Sequence, residues 1–337
     1  MSTSVNIVAR VHAYPPHHNA GAEWTLHEML RAAVRRGHKA TVHLSNTIGP
    51  RAATYELDGV RVVPPEAGID FGKAAARAGV LVSHLENVPL TACLARGHGI
   101  PLVVLCHNTF DLTWQPLLHG STALAVLNSQ WGLRAMEAAC EGARSRPDQA
   151  LVVRPPVWAA AYRTRPGDCI TLVNCSEAKG VGLFEELARR MPDRKFLAVR
   201  GGYGEQRPPD LDNVLVLDHM PGSRMRDEVY ARTRLLLMPS DYESWGRVGV
   251  EAMASGIPVM AHPTEGLQES LGPAGIFCDR EDAGQWRAAI DALDDPAAYR
   301  AASRRAKTRS KALDPVKELD AWCDAIEELG RARTTQR

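Results

Sequence analysis

The sequence contains no Cys-x-x-Cys pair, and its seven cysteines (Cys93, Cys106, Cys140, Cys169, Cys175, Cys278, Cys323) are odd in number and scattered. That argues against a disulfide framework and against a structural zinc site, and it fits a reducing compartment. No apolar run approaches the length that crosses a bilayer, and residues 1–9 lack the charged-then-apolar layout of a signal peptide. A cytoplasmic location is the expectation. Neither sign of charge is in excess: 40 Lys and Arg stand against 39 Asp and Glu, for a formal net charge of +1. That balance gives no overall electrostatic reason to bind nucleic acid or an anionic membrane, although a local basic face stays open. Internal repeats and low-complexity tracts are also missing.

What is present is a 337-residue chain, 45% hydrophobic and 23% charged, with length enough for two globular domains. Strands are expected over 5–11, 39–44, 60–63, 80–83, 102–106, 123–128 and 151–154. A helix over 23–36, with Leu26, Met29, Leu30, Ala33 and Val34 at helical spacing, stops at Gly37. Pro155-Pro156 and Pro166-Gly167 bracket a weakly periodic stretch that reads as an interdomain linker. The alternation then restarts, with strands over 169–174, 195–200, 214–217, 235–239 and 258–261 and helices over 183–191, 224–233 and 248–255. A last helical run, 315–329, carries Leu319, Trp322, Ile326 and Leu329 on one face, and 331–337 reads as a frayed polar tail.

Strands alternating with helices indicate mainly parallel α/β sheets. The expected division is 1–156, 157–314 and a terminal segment 315–337. Ligands of such sheets bind at the carboxyl ends of the strands. Architecture alone leaves dehydrogenase, periplasmic-type binder, epimerase and glycosyltransferase open. No glycine fingerprint with a suitably placed acidic residue follows the first strand, which disfavours the dehydrogenase.

The segment 239–272 carries the most chemistry. A buried strand ends in the polar turn Pro239-Ser240-Asp241-Tyr242-Glu243-Ser244-Trp245 and passes through Gly246 into a helix. Gly246 lets backbone approach a ligand, and free N–H groups at the helix start suit a diphosphate or sugar hydroxyls. Glu243 and Glu251, with seven residues between them, are carboxylates suited to paired hydroxyls of a ribose or pyranose. Two isolated glutamates would read as a loop charge and a solvated helix residue.

These residues are not isolated. The Pro239-Ser240 pair, Glu243 and Glu251, Gly246, the run Glu251-Ala252-Met253-Ala254-Ser255-Gly256, Pro258-Val259 and the block Glu265-Gly266-Leu267-Gln268-Glu269 follow one ordered pattern. It resembles the signature of retaining glycosyltransferases of GT-B architecture, in the large group 1 family. The resemblance spans nearly the whole chain and is strongest over 170–275. It implies two Rossmann-like domains facing each other across a cleft, with a C-terminal helix crossing back to the first. The domain 1–156 would serve the acceptor and 157–314 the nucleotide sugar.

By position in that family, Glu243 would contact the donor sugar and Glu251 the nucleotide ribose, with backbone of Ser244, Trp245, Gly246 and Arg247 near the diphosphate. Lys179, in Lys179-Gly180, would offset charge on the leaving nucleoside diphosphate. The family often has an arginine five residues earlier, where this chain has Asn174; Arg247 is a hypothetical replacement. Gly202, in Gly201-Gly202-Tyr203-Gly204, and Met220, in His219-Met220-Pro221, match a glycine-rich strand end and a base-contacting segment. In the first domain, Gly21 closes a loop that has Ala20-Gly21 where the family usually has a Gly pair. His107 occupies the place of an active-site histidine, whose role there is hydrogen bonding to the donor sugar. Read alone, these would be a surface lysine, a tight loop and a loop histidine.

The resemblance implies a nucleotide-sugar co-substrate (UDP or GDP), retention of configuration, and neither cofactor nor metal. Asp210-Leu211-Asp212 mimics a metal-binding Asp-x-Asp but reads as solvated surface. The acceptor, whether small molecule, lipid, protein or nucleic acid, is undetermined; Trp24, Trp114 and Trp131 are acceptor platforms or packing residues. The competing readings are an epimerase of the same architecture, which lacks the paired-glutamate block, and a catalytically retired domain that only binds a nucleotide sugar or a partner.

Overall fold

The computed structural model describes residues 4–46 and 53–335. The chain forms two compact units, Met1–Pro156 with Pro315–Arg337, and Val157–Asp314.

The described part of the first unit holds the strands Asn6–Val11 (β1), Lys39–Leu44 (β2), Tyr55–Leu57 (β3), Val60–Val63 (β4), Val80–Ser83 (β5), Leu102–Cys106 (β6), Leu124–Leu127 (β7) and Gln149–Val152 (β8). They form one sheet in the order β3-β4-β2-β1-β5-β6-β7-β8. Every pair is parallel except β3–β4. β5, β6 and β7 are buried at every position, as continuous apolar runs covered on both faces must be. β3 was not expected. Asp58 and Gly59 both have positive φ (49° and 81°) and close a two-residue hairpin, for which Asp-Gly is the strongest short signal. β8 lies two residues ahead of its expected range, because this edge strand pairs with β7 through the exposed Gln149 and Ala150.

The last helix, Val316–Thr335, packs on the helix Gly21–Arg35. Trp322 is fully buried and its Nε1 donates to the Met29 carbonyl at 2.9 Å. Arg36 meets Asp320, Asp324 and Glu327 on the same helix. The tail expected at 331–337 is therefore helical through Thr335, with Arg333 in the last turn complementing the helix dipole; 336–337 lie outside the described residues.

In the second unit the strands Cys169–Val173 (β9), Phe196–Val199 (β10), Val214–Leu217 (β11), Thr233–Met238 (β12), Val259–Ala261 (β13) and Ile276–Phe277 (β14) run in the order β11-β10-β9-β12-β13-β14, all parallel. Two expectations change. The stretch after Pro156 is no bare linker, since Val157 and Tyr162 are buried in this unit's core. The helix expected over 224–233 is one α-turn, Gly222–Met225, followed by the π-helical Arg226–Tyr230. The chain must leave that turn early because Thr233 already belongs to β12, its Oγ1 donating to the Val229 carbonyl at 2.8 Å.

Candidate functional site

In the second sheet the chain travels outward from β9 through β10 to β11, then returns to place β12 on the other side of β9. The carboxyl ends of β9 and β12 therefore flank the point where strand order reverses, the usual ligand site of open parallel sheets. The family-like residues lie in the two loops that leave these ends.

After β9, Asn174 takes a positive φ of 76° and the chain enters the 3-10 turn Glu177–Lys179. After β12, Pro239 leads through residues 240–246 into the helix Arg247–Ala254. The loops touch: the Asp241 N–H donates to the Ala178 carbonyl at 3.0 Å, and a Cβ on Gly180 would sit 2.7 Å from the Pro239 carbonyl oxygen. This contact brings Lys179 Nζ to 2.6 Å from Glu243 Oε1, and Ser240 Oγ donates to the same carboxylate oxygen at 3.2 Å. Lysine and glutamate are partly exposed, at 28% and 18%.

Gly246 has φ +79°, and a Cβ there would collide with Leu267. A Cβ on Gly266 would fall onto the backbone of Glu243 and Ser244. The second sequence block thus packs directly under the first, starting with the Thr264 hydroxyl that caps the helix Glu265–Leu271. Trp245 is buried at 2% exposure in the core beneath the loop.

Arg247 is not a spare cation. Its Nε donates to Glu251 Oε1 at 2.7 Å and its Nη2 to the Tyr162 hydroxyl at 3.1 Å. Burial acts to lower its pKa, but Tyr162 and the Glu251 carboxylate raise it above the usual value. The guanidinium is thus engaged within the fold by Glu251 and Tyr162, and Arg247 as a replacement for the arginine missing at Asn174 remains a proposal. Glu251 Oε2 accepts from the Tyr230 hydroxyl at 2.7 Å. Burial, then the Glu251 charge, raises Tyr162 to about 12.

Asn174 has a different task. Gln206 Nε2 donates to Asn174 Oδ1 at 2.9 Å, while Gln206 Oε1 accepts from the N–H groups of Cys175 (2.9 Å) and Gly201 (2.6 Å). The glycine-rich loop is tied to the end of β9 through Gln206, which sequence reading missed. Gly201 is the glycine that close packing demands, since the Asn174 side chain fills the place of its Cβ; Gly202 is exposed. Met220 is buried in the core of this unit.

In the first unit, three neighbouring strands, β1, β5 and β6, are each followed at once by a histidine: His12, His84 and His107. His12 stacks on His84 with ring centroids 5.1 Å apart, and His107 meets His84 edge-on at 5.2 Å. His12 Nε2 lies 3.3 Å from the buried carboxylate of Glu23. The Glu23 hydrogen bond raises the His12 pKa, while burial lowers that of His107 to about 4 and holds that of His84 well below its usual value. His107 is neutral near pH 7 and suited to hydrogen bonding. Gly21 is exposed and opens the helix Gly21–Arg35, with nothing within 4 Å of a Cβ. Trp114 is buried in the core beside β6, a packing residue. Among the described residues, no group of three or more His, Cys, Asp or Glu could hold a metal ion, and no helix is long and apolar enough to cross a membrane.

Comparison with known proteins bears on family and fold. Residues 210–309 match the family described as Glycosyl transferases group 1. A D-inositol 3-phosphate glycosyltransferase of Catenulispora acidiphila is 32% identical over 291 residues, 71% of this chain and 67% of the relative. The enzyme of that name from Corynebacterium kroppenstedtii is 32% identical over 147 residues, 41% of this chain; the match spans only 28% of the relative's length. Among solved structures, a sucrose-phosphate synthase from Thermosynechococcus elongatus has a TM-score of 0.75 at 16% identity, covering 98% of this chain and 100% of its own. The Anabaena protein HepE in complex with UDP-glucose gives 0.70 at 16% identity, with 98% and 100% covered. These structures share the fold, the GT-B arrangement of two parallel sheets. Signature, fold and relatives agree, and the chain belongs to the group 1 family of glycosyltransferases.

Proposed function

We propose that this chain transfers a glycosyl group from a nucleoside-diphosphate sugar to an acceptor nucleophile, with retention of anomeric configuration and without a metal. The observation that carries the proposal is the Lys179–Glu243 pair at the strand-order reversal, beside the start of the helix Arg247–Ala254. Charge separates in the transition state between an oxocarbenium-like sugar and the departing diphosphate. Lys179 and the helix start would stabilise the diphosphate, and Glu243 would hold sugar hydroxyls. Glu251 would take the ribose. Backbone near Gly202 and Met220 would face the nucleotide. His107 would hydrogen-bond the donor sugar, and Gly21 would bring backbone near the donor. A relative bound to UDP-glucose supports a UDP-sugar as the first donor to test.

The experiment is donor hydrolysis: release of UDP from UDP-glucose by the wild type, abolished by Glu243→Ala. A second reading, a domain that binds donor without turnover, is favoured by Asn174 and by the engagement of Arg247, which leave Lys179 with less help. Binding of UDP-glucose without any UDP release would select it.

A further inference from the structure

Arg247, Glu251, Tyr162 and Tyr230 form one continuous hydrogen-bonded circuit drawn from three places in the second unit. Tyr162 ends the short helix Ala159–Tyr162, Tyr230 ends the π-helical turn before β12, and Arg247 and Glu251 are one turn apart on the signature helix. Arg247 Nε reaches Glu251 Oε1 at 2.7 Å, and Tyr230 donates to Oε2 at 2.7 Å. Tyr162 accepts from Arg247 Nη2 at 3.1 Å, and its ring meets that of Tyr230 edge-on, 6.1 Å between centroids. The arginine and glutamate side chains are only 10% and 6% exposed.

Stability alone does not call for such a circuit. A buried ion pair repays its desolvation poorly, and well-packed apolar residues of the same volume serve a core at least as well. What the circuit achieves is to fix both oxygens of one carboxylate. An ionised carboxylate offers about four acceptor sites, two per oxygen. Arg247 occupies one on Oε1 and Tyr230 one on Oε2. With both oxygens held, and the Tyr162 hydroxyl also acting on the group, the carboxylate keeps one orientation toward the two adjacent hydroxyls of a vicinal diol.

We propose that Tyr162, Tyr230 and Arg247 are positioning residues that lock Glu251 for the 2′- and 3′-hydroxyls of the donor's ribose. The proposal rests on the donor-site reading above and adds to it the reason that Glu251 is held in one orientation. It makes discrimination between ribose and 2′-deoxyribose a property of the whole circuit.

The test is calorimetric binding of UDP and 2′-deoxy-UDP to the full chain and to Glu251→Ala, Tyr162→Phe, Tyr230→Phe and Arg247→Lys. The wild type should prefer UDP by about tenfold or more, the loss expected when a site built for a hydroxyl meets an analogue without it. Tyr230→Phe and Arg247→Lys should weaken UDP by about tenfold while changing 2′-deoxy-UDP less than about threefold, so that the preference collapses. A merely structural role would weaken both nucleotides alike. Tyr162→Phe, which removes a hydroxyl shared between Arg247 and Glu251, should lose part of the preference. If Arg247→Lys does not fold, the two tyrosine variants decide alone. A preference lost in Glu251→Ala but kept in both tyrosine variants overturns the positioning role. A preference that survives Glu251→Ala overturns the ribose reading instead, and the circuit with it. If the wild type binds no uridine nucleotide, the GDP and 2′-deoxy-GDP pair is read in the same way, and equal affinity there overturns both.

Discussion

Lys179 Nζ and Glu243 Oε1, 2.6 Å apart, join the ends of two neighbouring strands, β9 and β12, through a single ion pair. Each residue is the other's counter-charge before a donor arrives. A bound diphosphate would compete for the lysine, and sugar hydroxyls would take up the glutamate. Lys179→Ala should lower the rate of UDP release by about 10²- to 10³-fold, the usual loss on removing one electrostatic stabiliser. Because the pair is partly exposed, stability should change by no more than about 1 kcal/mol. Steady-state UDP release and thermal unfolding check the two halves separately.

Gly266 underlies the loop that carries Glu243. An alanine Cβ would meet the backbone of Glu243 and Ser244, which has no flexible end to yield. Gly266→Ala should destabilise the second unit by about 1–3 kcal/mol, the usual range for overpacking. It should also raise the KM for donor more than a comparable change at the exposed Gly202. Urea unfolding together with donor titration tests this.

The histidines at the edge of the first sheet make acid stability asymmetric. His107 is lowered by burial to about 4, and burial holds His84 well below its usual value. A depressed histidine pKa favours the neutral form in the folded state. That contribution is complete above the unfolded value near 6.5 and is lost as pH falls toward 4. His12, raised by its hydrogen bond to Glu23, acts the other way and contributes below its unfolded value. The depressed His107 should therefore make stability fall between pH 6.5 and 4. Ring-nitrogen NMR should show His107 neutral down to about pH 4 and His12 protonated above its neighbours. Titration of His107 near 6.5 would refute the burial argument.

Trp322 fills the seam between the last helix and the helix Gly21–Arg35. Trp322→Ala should cost about 3–5 kcal/mol, the range for a buried tryptophan, with the Met29 carbonyl left without its indole donor. Differential scanning calorimetry should place the whole loss in the first unit's transition.

The fold was largely legible because its strands are short apolar runs at regular distances. β2, β4, β5, β6 and β11 occupy their expected ranges. The signature helix was readable from Gly246 and the run that follows it. What stayed hidden depends on partners distant in sequence. Tyr162 looks like a linker residue until Arg247 is placed beside it, and Arg247 looks like a free charge until Tyr162 and Glu251 surround it. Gln206 gives no local signal of the two segments it joins. The hairpin at Asp58-Gly59 and the caps Thr264, Asp282 and Asp295 were available in the sequence and mark elements that the apolar pattern alone passed over.

The first unit is assembled from both ends of the chain, while the second is one uninterrupted piece. Arg154, at the end of the first piece, is bound to Glu318 on the returning helix by its main-chain N–H at 2.9 Å and by its guanidinium. On the ribosome, the second unit can therefore complete itself before the first, which must wait for residues near its carboxyl terminus. A chain stopped at residue 314 would carry a first unit that lacks its last helix, with the Trp322 seat exposed, and a separate peptide spanning 315–337 should restore it by trans-complementation.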